Sequence, residues 1–237
     1  MKTLHPVLVV TLGMLLCLTS QQAHSATIWS EVGDAGGGLA QANVTTGLGA
    51  LDAITGTLPD DDEFGVDLFA INISDLSQFS ATTDNYPATE LLDSWLFLFD
   101  SSGYGIAASA TTAGDPFPSL NATISLDSVS GTPGLYYLAV ARFETFPQSA
   151  DGAIFLDLFD NSISGEVLKP LGPGGLSPLS SWSSQPPFFD SEAYRIDLTG
   201  AEFASDASVV PEPSSMACTL GLLALGYLGK RRIARRQ

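Results

Sequence analysis

Between residues 26 and 207 no apolar stretch keeps an uninterrupted 3.6-residue period, because Gly, Ser, Thr, Pro and Asp break every candidate helix. What remains is a series of short apolar runs set between turn residues. That pattern predicts an all-β sandwich, with helices confined to the two chain ends. Strands are predicted over residues 66–73, 94–99, 122–126, 135–143, 153–159 and 193–198. Phe69, Ile71 and Ile73 share one side of the first, with Leu68 and Ala70 on the other, so this strand needs cover on both faces. Trp95, Phe97 and Phe99 alternate with Leu96 and Leu98 in the same way, and Trp29 and Trp95 read as packing residues. By contrast, Tyr194, Ile196 and Leu198 alternate with Arg195 and Asp197, the signature of a strand with one wet face. Two packed sheets accommodate both kinds.

Three stretches punctuate the pattern. Residues 33–38 (Gly-Asp-Ala-Gly-Gly-Gly) lack the lysine and the strand-then-helix setting of a phosphate loop and read as a flexible lead-in. Residues 168–187, with Pro-Leu-Gly-Pro-Gly-Gly at their centre, are expected to form a long loop between the last two strands. Residues 204–210 are read as a stalk.

The chain ends carry addresses. Residues 1–25 have a secretory leader's three parts: Lys2, an apolar stretch over 7–18, and Ala23 and Ser25 before the cut. At the other end Pro211-Glu212-Pro213 is followed by an apolar run over about 216–228 and then by Lys230, Arg231, Arg232, Arg235 and Arg236. A helix of roughly thirteen residues reaches only about 20 Å against a hydrocarbon core of about 30 Å. Local thinning or snorkelling of the basic residues would meet the mismatch, as would a transient role for the segment. A cationic C-terminus fits the cytoplasmic side, which leaves residues 26–210 across the membrane.

The order of these parts resembles the PEP-CTERM sorting signal of Gram-negative bacteria. The resemblance implies recognition and cutting near Pro211, Glu212 and Pro213 by a membrane-embedded exosortase, with release of the body to the cell surface or extracellular polymer. An ordinary C-terminal anchor with a proline hinge is the alternative. The body also resembles a known group, bacterial pre-peptidase C-terminal domains. The motifs that carry this are residues 65–71 (Gly-Val-Asp-Leu-Phe-Ala-Ile), 96–103 (Leu-Phe-Leu-Phe-Asp-Ser-Ser-Gly) and 134–140 (Gly-Leu-Tyr-Tyr-Leu-Ala-Val), in that order. This likeness implies a jelly-roll sandwich over 26–203 and says little about a ligand.

Charge narrows the partners. Residues 26–210 hold three basic residues (Arg142, Lys169, Arg195) and 25 acidic ones, so 3 − 25 gives a net charge of −22. Phosphate-rich partners need dense Lys and Arg, so nucleic acid and anionic lipid surfaces are unsuited. Cations and neutral or basic polymers, an exopolysaccharide among them, remain compatible. His5, Cys17, His24 and Cys218 all lie in the leader or the tail. The body therefore has no Ser-His-Asp or Cys-His triad, no His- or Cys-ligated metal site and no disulfide of its own.

Only oxygen chemistry is left. Asp60, Asp61, Asp62, Glu63 and Asp67 form the densest acidic cluster and, with Asp100, are candidate calcium ligands; a solvated turn is the plainer alternative. Trp182, Phe188 and Phe189 are candidates for stacking on sugars, or else cover one end of the sandwich. A carboxylate pair such as Glu144 with Asp157 would suit a glycan hydrolase, but no sequence spacing fixes the separation it needs. No catalytic residue is assigned. The expectation is a non-enzymatic exported protein of the envelope, extracellular matrix or biofilm, ahead of a calcium-assisted carbohydrate-binding module and, third, a carboxylate-dependent hydrolase.

Overall fold

The computed structural model of the chain describes residues 26–59, 64–83, 94–109, 122–125, 131–156, 167–184 and 191–205. The leader, Asp60–Glu63, Phe188, Phe189, Asp157 and everything from residue 206 onward, including Pro211-Glu212-Pro213 and the basic tail, lie outside them. Among the described residues there is no α-helix, only a 3-10 turn at Leu76–Gln78. Fourteen strands follow in chain order: β1 Ile28–Ser30, β2 Asn43–Val44, β3 Ala53–Leu58, β4 Val66–Ile73, β5 Ser80–Thr82, β6 Ser94–Asp100, β7 Gly105–Ser109, β8 Thr123–Ser125, β9 Gly134–Arg142, β10 Thr145–Ser149, β11 Gly152–Ala153, β12 Leu179–Ser184, β13 Glu192–Thr199 and β14 Ala201–Phe203.

They form three layers. One sheet runs β1-β3-β13-β5-β8, a second runs β14-β4-β9-β6-β7 with β2 also beside β4, and a third runs β11-β10-β12. Pairing is antiparallel throughout except for β1 on β3 and β2 on β4. Eight of these strands, β3-β13-β5-β8 facing β4-β9-β6-β7, define the connectivity. From β3 to β6 the chain changes sheet at every step, β6 and β7 make a hairpin within one sheet, and β8, β9 and β13 resume the alternation. This is the order of a jelly roll, two interleaved Greek keys.

The alternation seen in the sequence decides the layering. Phe69, Ile71, Leu96, Leu98, Leu138 and Val140 point from the central sheet into the core shared with Ile54, Tyr194, Ile196 and Ile124 of the five-stranded sheet. Leu68, Trp95, Phe97 and Phe99 point the other way. A sheet apolar on both faces must be covered twice, since burying each large side chain contributes about 1.5–3 kcal/mol. The second cover is the β11-β10-β12 layer with Ile154, Phe155 and Trp182, so three layers replace the two that were expected. Trp95 meets Phe146 edge-on at 4.8 Å between ring centroids, and both Trp29 and Trp95 are buried, as packing residues should be.

Two expected elements differ. Residues 168–187 are not all loop: β12 pairs with β10 from Thr145↔Ser184 to Ser149↔Leu179. The preceding Gly-rich turn is docked beneath it, and a side chain on Gly174 would strike the carbonyl oxygen of Gly152. Of the strand predicted over 153–159, only Ala153 is strand among the described residues, and 157–159 lie outside them. Ile154 and Phe155 are still buried, but in a bend whose backbone bonds go to Pro147 and Gly172. The stalk reading also shortens, because Ala204 N–H donates to Thr45 Oγ1 and Ser205 bridges Thr46.

Candidate functional site

The site is built where β1 leaves the five-stranded sheet. After Ser30 the chain turns across the mouth of the sandwich, and Glu31 is held there by two backbone donors, Ala35 N–H to Oε1 at 2.8 Å and Thr57 N–H to Oε2 at 2.9 Å. Asp67, the second residue of β4, points to the same end of the core and is fully buried. A buried carboxylate is costly unless it is hydrogen-bonded or neutralised. Tyr194 of β13 supplies a donor, its hydroxyl lying 2.5 Å from Asp67 Oδ2 and 3.4 Å from Glu31 Oε2. Burial first, then the charges of Asp67 and Glu31, hold the Tyr194 phenol well above its ordinary value of 10.0.

Asp34 completes the group. Glu31, Asp34 and Asp67 each place a carboxylate oxygen within 4.8 Å of the other two, graded from exposed Asp34 through half-buried Glu31 to Asp67. Glu31 and Asp34 line an open cleft of about 550 Å³ together with Ser30, Thr57, Pro59 and Tyr194. Three carboxylate oxygens at that spacing suit a hard cation, which takes oxygens at about 2.3–2.6 Å and therefore tolerates ligand pairs up to about 5 Å apart.

Gly56 makes this approach possible. It lies opposite Tyr194 across the β3–β13 ladder, and a Cβ there would run into both the Tyr194 hydroxyl and Glu31 Oε2. Arg142 fixes the adjoining edge. Its Nη2 donates to the carbonyls of Leu58 and Pro59 at 2.9 Å each, and its Nε lies 3.5 Å from Glu192 Oε2.

Of the residues named as calcium candidates, Asp67 is in this group and Asp100 is not. Asp67 is opposite Val140 and Asp100 opposite Tyr136, four positions apart along β9 and on opposite sides of it. At about 3.4 Å per residue that offset alone is about 14 Å, too far to share one ion. Asp100 instead caps its own turn, accepting from Ser102 N–H at 2.8 Å and Tyr104 N–H at 3.0 Å. Asp60–Glu63, which follow the cleft residue Pro59 in sequence, lie outside the described residues.

Trp182 is corrected from sugar platform to packing residue. It is 6% exposed, meets Phe97 and Phe99 edge-on, and donates its indole N–H to Gly37 carbonyl at 2.7 Å. No ring face is left for stacking. Glu31 and Asp34 were not anticipated. Asp34 belongs to the Gly-rich lead-in and Glu31 follows β1 just before it, and their meeting with Asp67 depends on a parallel β1–β3 pairing that no local pattern announces. No protein-family model matches the sequence, and no curated protein is similar enough to it to count as a relative.

Proposed function

We propose that this chain is a non-enzymatic exported protein of the cell envelope or extracellular matrix, sorted by an exosortase through Pro211-Glu212-Pro213 and associated with exopolysaccharide. One observation carries the reading: the β-sandwich, from β1 through the Ser205 bridge, begins and ends between a leader-type segment and the Pro-Glu-Pro, apolar and basic series. The folded body is then cargo, and the two flanking segments are its instructions. Intact mass of surface-released protein tests this, with an N-terminus near residue 26 and a C-terminus near Pro211 expected. Body retained in the cytoplasm with its leader attached overturns it, and an untrimmed C-terminus reassigns the tail as a plain anchor.

A second reading is favoured by the carboxylate group. Glu31, Asp34 and Asp67 hold calcium, and Gly56 and Tyr194 shape the seat. An ion bound by the folded state alone raises stability by RT ln(1 + [L]/Kd). Calorimetric titration should show saturable heat and a rise in melting temperature, both lost on Asp34→Asn with Glu31→Gln. Heat no greater than dilution removes this reading.

A further inference from the structure

We propose that the outer face of the β1-β3-β13-β5-β8 sheet is a binding surface for a neutral, hydroxyl-rich polysaccharide. The inference rests on the matrix reading above and names where the polymer would lie. Alternation puts Tyr194, Ile196, Leu198, Ile54, Ala81 and Ile124 inside. The opposite side chains therefore face outward. Most of these are hydroxylated: Ser30, Thr55, Thr57, Ser80, Thr82, Thr123, Ser125 and Thr199 are exposed or half-buried, and Ile28, Ala53, Ala193, Arg195 and Asp197 complete the face.

They stand in register across the strands. Ser30 is opposite Thr55, Thr82 opposite Thr123, and Ser80 lies between Thr199 and Ser125. Neighbouring hydroxyls bond one another: Ser30 with Thr55 at 3.2 Å, Ser80 with Thr199 at 2.8 Å and Thr82 with Thr123 at 2.8 Å. Each hydroxyl has one donor and two acceptor lone pairs, so such a pair fixes its rotors and still offers capacity outward. Five strands at about 4.8 Å spacing make a ribbon about 19 Å across.

Charge selects the partner. Residues 26–210 carry a net charge of −22, yet the charged side chains on this face, Arg195 and Asp197, neutralise one another at 2.6 Å. A neutral polymer can settle here without stripping water from an unpaired carboxylate, whose burial is costly. A cationic polymer would be drawn to the acidic remainder of the surface instead. With no aromatic platform among the described residues of this face, each sugar contributes little, and affinity accumulates along an extended chain.

The test uses the full chain in mild detergent with amorphous cellulose as the neutral probe and chitosan as the cationic one. Retention on cellulose is expected to persist from about 0.1 to 1 M salt, over which the Debye length falls from about 10 to 3 Å. The variant Thr55→Val, Thr82→Val, Thr199→Val keeps strand-favouring shape and is expected to bind about tenfold more weakly, in line with the loss of one to two hydrogen bonds. Ser181→Val on β12 serves as a control that should bind as the native chain does. Thr123→Glu, a single exposed change adding one charge, gives the same loss if the triple variant fails to fold. Native retention by either folded face variant, retention abolished by salt, capture by chitosan alone, absence of cellulose binding, or a dimer that the face variants dissolve would each overturn the proposal. Cellulose binding is read independently of cleavage, so failure here leaves the mass test of sorting intact, and failure of sorting leaves the binding result intact.

Discussion

At the scale of single residues, the arrangement around Asp67 makes the sharpest predictions. Gly56→Ala puts a methyl group where the Tyr194 hydroxyl and Glu31 carboxylate meet, and the crowding is expected to cost about 1–3 kcal/mol in a denaturant melt. A neutral result would show that the two side chains move aside freely. Tyr194 also ties stability to alkaline pH. Its folded value is raised above 10.0, so between about pH 10 and that higher value the folded chain holds a proton the unfolded chain has released. The contribution is complete below about pH 10 and declines as pH climbs through the folded value. Tyr194→Phe should lower stability at neutral pH by about 1.5–3 kcal/mol, as a hydrogen bond to a carboxylate is lost, and should flatten the alkaline decline. An unchanged alkaline slope in the Phe variant would assign that slope to another group.

At the scale of elements, the turn from β9 into β10 is where the chain leaves the central sheet for the outer layer. Glu144 takes a φ of 61° there, in the left-handed region that favours glycine. Glu144→Gly is expected to stabilise by about 1 kcal/mol, the relief of that strain less the entropy of a freer unfolded chain. A loss of stability would mean that the Glu144 side chain holds the turn. Arg142, at the end of β9, ties down the end of β3 through the Leu58 and Pro59 carbonyls. Arg142→Ala strands those acceptors and the Glu192 carboxylate, and about 3 kcal/mol of stability should go with it. The strands the sequence hides are instructive here too. β10 contains Pro147, which argues against a strand. Its carbonyl points toward Ile154, past the last β10–β11 pair, so its missing N–H falls where the ladder has already ended. β12 is Leu-Ser-Ser-Trp-Ser-Ser, with only Leu179 and Trp182 buried, a spacing of three that no two-residue alternation matches.

At the scale of the whole molecule, charge is the dominant unbalanced term. A body with a net charge of −22 repels itself most strongly when folded and compact. Raising ionic strength from about 0.01 to 0.15 M shortens the Debye length from about 30 to 8 Å and should raise the melting temperature. A fall would mean that attractive pairs such as Arg195 with Asp197 outweigh the repulsion. The cores on either side of β4, β9 and β6 supply the opposing apolar burial.

The sequence by itself determined the β class and the doubly buried strands, because side-chain alternation is local and repeats every two residues. It also determined the charge and the chemistry open to a body without histidine or cysteine, which composition alone decides. The third layer, the burial of Trp182, the distance between Asp67 and Asp100, and the meeting of Glu31 and Asp34 with Asp67 were decided by tertiary structure. Each depends on which strands become neighbours, and jelly-roll pairing joins residues far apart in the chain, such as Glu31, Asp67 and Tyr194, whose proximity no local pattern records.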